Sequence, residues 1–275
     1  MSSKLLYAQE VIRYHVSESY HDPKQAYYVD LLKLILDASR NSYGGYQLLP
    51  VKLDMPRARS SSMLQKGRLI DITWRMTSPA LEQDLRAVYM PLVKGLMGVR
   101  IAIIRRGTES KFSPNITLSQ LKQLPVGQGH GWLDSEILAA NGFNIVEGSA
   151  ATMLTMLERE RFDYFPRAIH EPWIEIFDKP QFTVEESFVL RYPAPIYFFT
   201  NKANKRLTNR IQDGFASIIA SGAFEQHFLQ HPITKNILEK AKLSERKVFT
   251  LHNPLLTEKT RLALSSQPLW RDYGH

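Results

Sequence analysis

The sequence predicts an α/β fold of two lobes, each a central sheet flanked by helices, and three observations predict it. Strand-like and helix-like segments alternate up to about residue 75 and alternate again from about 98 to 165, the pattern of parallel sheets with helical crossovers. Two β-rich pieces, Phe188 to Leu190 and Ile196 to Thr200, then bring the chain back with no Gly/Ser linker. Finally, Leu207, Ile211, Phe215, Ile218 and Ile219 recur at helical spacing from Asn204, Gly222 stops that helix, and a shorter one carries Phe224, Phe228 and Leu229.

In chain order, Val11, Ile12, Tyr14 and Val16 mark a first strand over Glu10 to Val16, followed by a turn-rich piece from Ser17 to Lys24. Tyr28, Leu31, Leu32 and Ile35 give a helix ending near Arg40, and Gly44-Gly45 introduces a strand through Val51. A helix from about Pro56 to Lys66, with proline at its start where the missing N–H costs little, leads to a buried strand from Leu69 to Trp74. The apolar run Gly98 to Arg105 is a strand, Ser110 to Pro114 a turn, Leu118 to Leu124 a short helix and Pro125 to Gln128 a strand. The turn Gly127-Gln128-Gly129-His130-Gly131 opens a helix from Trp132 to Asn141, stopped by Gly142, and strand, helix and strand follow at Phe143 to Val146, Ala151 to Glu160 and Phe162 to Phe165. The chain then crosses between lobes near 100 to 105 and 190 to 200, giving lobe one as residues 1–103 with 193–275 and lobe two as 104–192. Two crossings make a hinge beside a cleft, and the tail from Phe249 to His275, with Pro254, Pro268 and Trp270, wraps lobe one.

Composition narrows the function. At 44% apolar residues the chain covers a sizeable core, which excludes disorder. A net charge of +8 raises nucleic acid as a partner, but the basic residues are scattered without an aromatic-interleaved stripe, so no nucleic-acid partner is expected. With no cysteine, disulfides and thiolate metal sites are excluded. No long apolar run crosses or inserts into a membrane, and Met-Ser-Ser reads as a start that replaces a removed export signal. HExxH, GxSxG and GxxxxGK[ST] are absent, and His15 and His21 near Asp22, like His170 beside Glu171, are isolated pairs. No catalytic residue, metal ligand or cofactor is therefore expected.

Several segments together resemble the extracytoplasmic solute-binding proteins of the polar amino-acid transport type, bacterial solute-binding protein family 3. They are Leu64 to Asp71, like the family's "L..G..D"; Val88-Tyr89-Met90-Pro91, where the family has "vdFS.Py"; Leu121 to Gly131, like "L.gk.vgv..Gt"; Met156 to Asp163, like "L..gr.DA"; and the closing helix pair. The resemblance implies a periplasmic-binding-protein-like fold that closes on a small polar solute by hinge motion, in the periplasm. It implies a membrane permease of an ABC-type uptake system as partner, or a membrane receptor if the chain is a sensing module. A dehydratase-like enzyme on the same fold is a third reading, with Glu171 and His130 as acid and base.

Two departures bear on the ligand. Glu82-Gln83 stands where the family places an acidic residue followed by the carboxylate-clamping arginine, and Arg167-Ala168 where an aspartate meets the ammonium. Arg75, Arg167 and His130 favour an anionic or carboxylate-bearing solute, and Trp74 and Trp132 offer rings for stacking. Thr77 and Tyr14 are further ligand-binding candidates, and Gln128 lies in a turn whose helix start suits an anion or simply makes a tight turn. Trp74 is either a cleft aromatic or a core cap. Arg167 either reaches the cleft or pairs with Glu171 or Asp163.

Overall fold

A computed structural model of the chain describes residues 9–18, 22, 24–55 and 57–266; His21, Pro56, Pro268 and Trp270, named above, lie outside them. The chain forms two compact units, one running to Leu92 and resuming over Ile196–Lys235, the other spanning Val93–Pro195 and resuming at Asn236.

The first unit starts with β1 (Glu10–Val16), α1 (Gln25–Ala38), α2 (Arg40–Tyr43), β2 (Tyr46–Lys52), α3 (Arg57–Gln65), β3 (Ile72–Met76), α4 (Pro79–Asp84) and β4 (Arg86–Val88). α1 forms where the helical spacing places it, because Tyr28, Leu31, Leu32 and Ile35, joined by Tyr27 and Leu36, bury one continuous face. β3 begins three residues later than the apolar run suggests. Leu69 sits at a left-handed φ of 64° and is exposed, and the ladder starts only after the Asp71 N–H reaches the Arg13 carbonyl at 2.8 Å.

The second unit takes β5 (Val99–Arg105), α5 (Leu118–Gln123), β6 (Val126–Gly129), α6 (Leu133–Ala140), β7 (Ile145–Gly148), α7 (Met153–Glu158), β8 (Tyr164–Ala168), α8 (Pro172–Glu175), β9 (Phe182–Val184) and β10 (Phe188–Arg191). The chain returns to the first unit as β11 (Ile196–Thr200), α9 (Lys205–Ala220) and α10 (Ala223–Gln230). It ends in the second as α11 (Ile237–Ala241), β12 (Lys247–Thr250) and α12 (Glu258–Ser266).

The first sheet runs β2-β1-β3-β11-β4, with β1 parallel to both neighbours and β11 antiparallel to β3 and β4. The second runs β12-β10-β5-β8-β6-β7, with β9 also on β5. α9 packs on α1 so closely that a Cβ at Gly214 would stand 2.2 Å from the Ile35 carbonyl oxygen. Beside that contact the buried Arg210 donates to Glu10 and the Gly44 carbonyl at 2.7 Å each, tying α9 to β1 and the end of α2.

The units divide at different places from those read in the sequence. β5 belongs wholly to the second sheet, where it pairs with β8, β9 and β10, so the first crossing precedes it instead of running through residues 100 to 105. The described part of the tail belongs to the second unit, not the first. β12 pairs in parallel with β10, from Phe188↔Lys247 to Arg191↔Thr250, and Phe249 packs on Phe188 with ring centroids 6.3 Å apart.

Candidate functional site

In the first unit the structure brings Tyr14 and Trp74 together and sends Arg75 and Thr77 to other partners. Trp74 lies among rings: stacked on Tyr28 at 5.6 Å, tilted to Tyr14 at 6.0 Å and edge-on to Phe198 at 6.3 Å. Tyr14 and Trp74 are thus brought together, both half-buried, as an aromatic cap over the sheet. Arg75 turns away, its guanidinium donating to Ser61 at 3.0 Å and to Ser60, both on α3.

Thr77 is buried and donates to Glu82 Oε1 at 2.6 Å, while the Tyr89 hydroxyl donates to Glu82 Oε2 at 2.9 Å. Burial first, and then the Glu82 carboxylate, pushes the Tyr89 phenol up. α4 holds this geometry. Ser78 accepts the Leu81 N–H at 3.3 Å as its cap, Pro79 opens it, and Glu82 lies in its first turn, where the helix dipole favours an anion. Glu82, the acidic member of the pair Glu82-Gln83, is thus gripped by two hydroxyls, and Gln83, where the family resemblance expects an arginine, is exposed.

In the second unit the glycines of the β6 turn are explained by packing. A Cβ at Gly127 would meet the Phe162 ring at 2.4 Å, and one at Gly129 the Trp132 indole at 2.3 Å. Because side chains alternate along a strand, Gln128 points to the face opposite Trp132, so the structure does not bring these two candidates together. Gln128 is 1% exposed and its Oε1 has no hydrogen-bond partner among the described residues. The His130 and Trp132 N–H groups are used within the turn and on Gly148, and the His130 side chain is exposed with Nδ1 3.4 Å from Glu147.

Arg167 is committed to carboxylates. Its Nε lies 2.8 Å from Glu175 Oε2, its Nη2 2.6 Å from Glu175 Oε1 and 3.2 Å from Glu171 Oε1. The guanidinium also sits 4.8 Å over the Trp132 ring and 5.0 Å over Phe165, and those two rings stack at 6.1 Å. Burial opposes its charge, but Glu171 and Glu175 outweigh burial and push its pKa up. Of the alternatives read in the sequence, pairing with Glu171 is the observed one. Asp163 pairs with Arg105 at 3.5 Å and Lys111 at 2.6 Å instead.

Several groups here escaped the sequence reading. Arg100, fully buried on β5, lies 2.6 Å from Asp134 on α6 and 3.7 Å from Glu171, with Tyr192 donating to the same Asp134 oxygen at 2.5 Å. A charged residue inside the run Val99 to Ile104 was the available signal, because a buried guanidinium requires an anion from another element. Glu175 carried no such signal by itself. Two surface cavities, of about 450 Å³ beside Trp173, Phe177 and Phe182 and about 330 Å³ beside Leu34, His227 and His231, contain none of the expected residues. Among the described residues no group of three or more His, Asp or Glu could hold a metal ion, and no helix is long and apolar enough to cross a membrane.

Comparison with solved structures gives the fold. A probable amino-acid ABC transporter extracellular-binding protein of Bacillus subtilis superposes with a TM-score of 0.60 at 15% identity, over 81% of this chain and 97% of its own. A periplasmic binding protein of Salmonella typhimurium with high arginine specificity superposes with 0.58 at 15% identity, over 79% and 97%. This chain has the periplasmic-binding-protein fold. A histidine kinase sensor domain similar to periplasmic binding proteins also matches, with 0.57 at 16% identity over 81% and 95%. No family model and no curated protein matches the sequence.

Proposed function

We propose that this chain binds a small polar solute reversibly, without turning it over, as the periplasmic solute-binding component of an ABC-type uptake system whose permease is its membrane partner. The observation that carries the reading is the fold, shared over about four-fifths of this chain and nearly the full length of amino-acid-binding proteins. The placement of the candidates supports it. In chain position Trp74 and Thr77 lie on and just after the second half of β3, and His130, Trp132 and Arg167 at or just after the ends of β6 and β8, and the carboxyl ends of strands are where α/β sheets take ligands. Capture by hinge closure belongs to the same proposal.

The expectation of an anionic or carboxylate-bearing solute leans on Arg75, Arg167 and His130. A carboxylate at Arg167 would have to displace the two-toothed grip of Glu175, so the test includes cations beside acids. The enzyme reading has weaker support, because Glu171 is buried against Arg100 and Arg167 whereas His130 is exposed beside Glu147. A sensing module remains the second reading, favoured by the likeness to a kinase sensor domain.

The test is a thermal-shift screen of amino acids, amines, small carboxylates, phosphorylated metabolites and aromatic acids. A true solute at 100 times its dissociation constant stabilises by about 2.7 kcal/mol and is recovered unchanged. A screen without a hit, or a hit that is converted, refutes the proposal. Solute-dependent association with a receptor ectodomain in place of a permease would favour the sensing module.

A further inference from the structure

α10 carries two histidines one helical turn apart, His227 and its C-terminal cap His231, and the structure turns both toward α1. Their ring centroids are 5.2 Å apart and lie 4.7 and 5.1 Å from the ring of Tyr27, which is buried and donates its hydroxyl to the Leu92 carbonyl at 2.8 Å. His227 Nε2 is buried and has no hydrogen-bond partner among the described residues, the ring being held otherwise by the Tyr27 backbone. His231 Nδ1 accepts the Ile233 N–H at 3.2 Å, and its Nε2 is 3.7 Å from Asp30 Oδ2, beyond hydrogen-bond reach. The other oxygen of Asp30 holds Lys33 at 2.9 Å. The titratable and charged groups facing the pair are thus Tyr27, Asp30 and Lys33 of α1, and the imidazoles themselves.

We infer that the His227–His231 pair is an acid-sensitive clasp: neutral, it seats α10 on α1; protonated, it loosens that contact. Two positive rings about 5 Å apart against a buried tyrosine repel each other. Asp30 answers His231 in part and is itself shared with Lys33, so His227 gains least from it. The neighbouring cavity of about 330 Å³, lined by Leu34, Gln226, Gln230 and both histidines, gives protons a way in. Burial is the largest influence on both rings and holds both below the ordinary histidine value of 6.5. The unfolded or detached state then binds protons that the seated state refuses, so seating is insensitive to pH above about 7 and weakens as pH falls through 6.5. This inference is independent of what the protein binds.

The experiment is amide hydrogen exchange of the full chain between pH 7 and pH 5, corrected for intrinsic rates. Protection of the α10 amides should fall about tenfold or more over that range, while amides of β5 hold theirs. His227→Gln should flatten the dependence, and His227→Gln with His231→Gln should abolish it. An α10 profile flat in the wild type, or equally steep in the double variant, overturns the inference. Histidine titration of the wild type by NMR supplies a reading that requires no variant. Both rings titrating below 6.5 supports the clasp, and either titrating at or above 6.5 overturns it.

Discussion

Arg167 offers the sharpest test of how the second unit is built. Replacing it with methionine keeps much of the volume but leaves Glu171 and Glu175 without the guanidinium that lies within 3.2 Å of each. Glu171, 4% exposed, keeps Arg100 at 3.7 Å and the Ala168 N–H at 2.8 Å but cannot recover its hydration, whereas Glu175, at 21%, partly can. Removing one partner of a buried pair costs about 3–5 kcal/mol, most of it the stranded charge. For a protein of this size that lowers Tm by on the order of 10 °C. Thermal unfolding followed by circular dichroism should show the loss in Arg167→Met, a smaller one in Glu175→Gln, and partial recovery when the two are combined, with a coupling above about 1 kcal/mol. If Arg167→Met unfolds within about 1 kcal/mol of the wild type, or the two changes simply add, the network is not holding the unit together and Arg167 regains its standing as a ligand group.

Gln128→Met should raise the stability of the second unit by about 1–3 kcal/mol, because it removes a buried acceptor with no partner among the described residues; a lower denaturation midpoint would mean that the amide is satisfied after all. Gly214→Ala should destabilise the first unit by roughly 1–3 kcal/mol or more, since its methyl would press on the Ile35 carbonyl at 2.2 Å and force α9 off α1; an unchanged Tm would refute that close approach. Thr117→Ala should cost about 1 kcal/mol in urea unfolding, because Thr117 and Gln120 cap α5 reciprocally, accepting each other's N–H groups at 3.2 and 2.9 Å; no loss would show that the start of α5 contributes little.

Most elements were legible because their signals are local. The spacing of α1 and α9, and the apolar runs of β5 and β11, state their own periodicity. β12 was not legible: Lys247-Val248-Phe249-Thr250 buries only Phe249, and its strand character comes from pairing with β10, almost sixty residues earlier. The unit boundary slipped for a related reason. A buried strand reads the same whichever sheet it joins, and only the partners of β5, all in the second unit, assign it. At the candidate site, the sequence supplied residue types but not orientations. The alternation that sends Gln128 away from Trp132 depends on knowing that Gly127 and Gly129 lie beneath rings.

The ion pair at Arg167 shows how much more the pattern could have yielded. Arg167 is the last residue but one of a buried strand, so its charge must be answered nearby. Pro172 can only open a helix, which places Glu171 at its cap and Glu175 one turn on, both on the same side. Two carboxylates one turn apart, soon after an arginine near the end of a strand, fold back over it with no third element required. Arg100 lacks any such neighbour in sequence. Its carboxylate, Asp134, comes from the first turn of α6, and only the order of strands in the sheet brings β5 and α6 together. The difference between the two arginines is one of contact order: a charge answered within eight residues can be read along the chain, and a charge answered across the sheet requires the fold first.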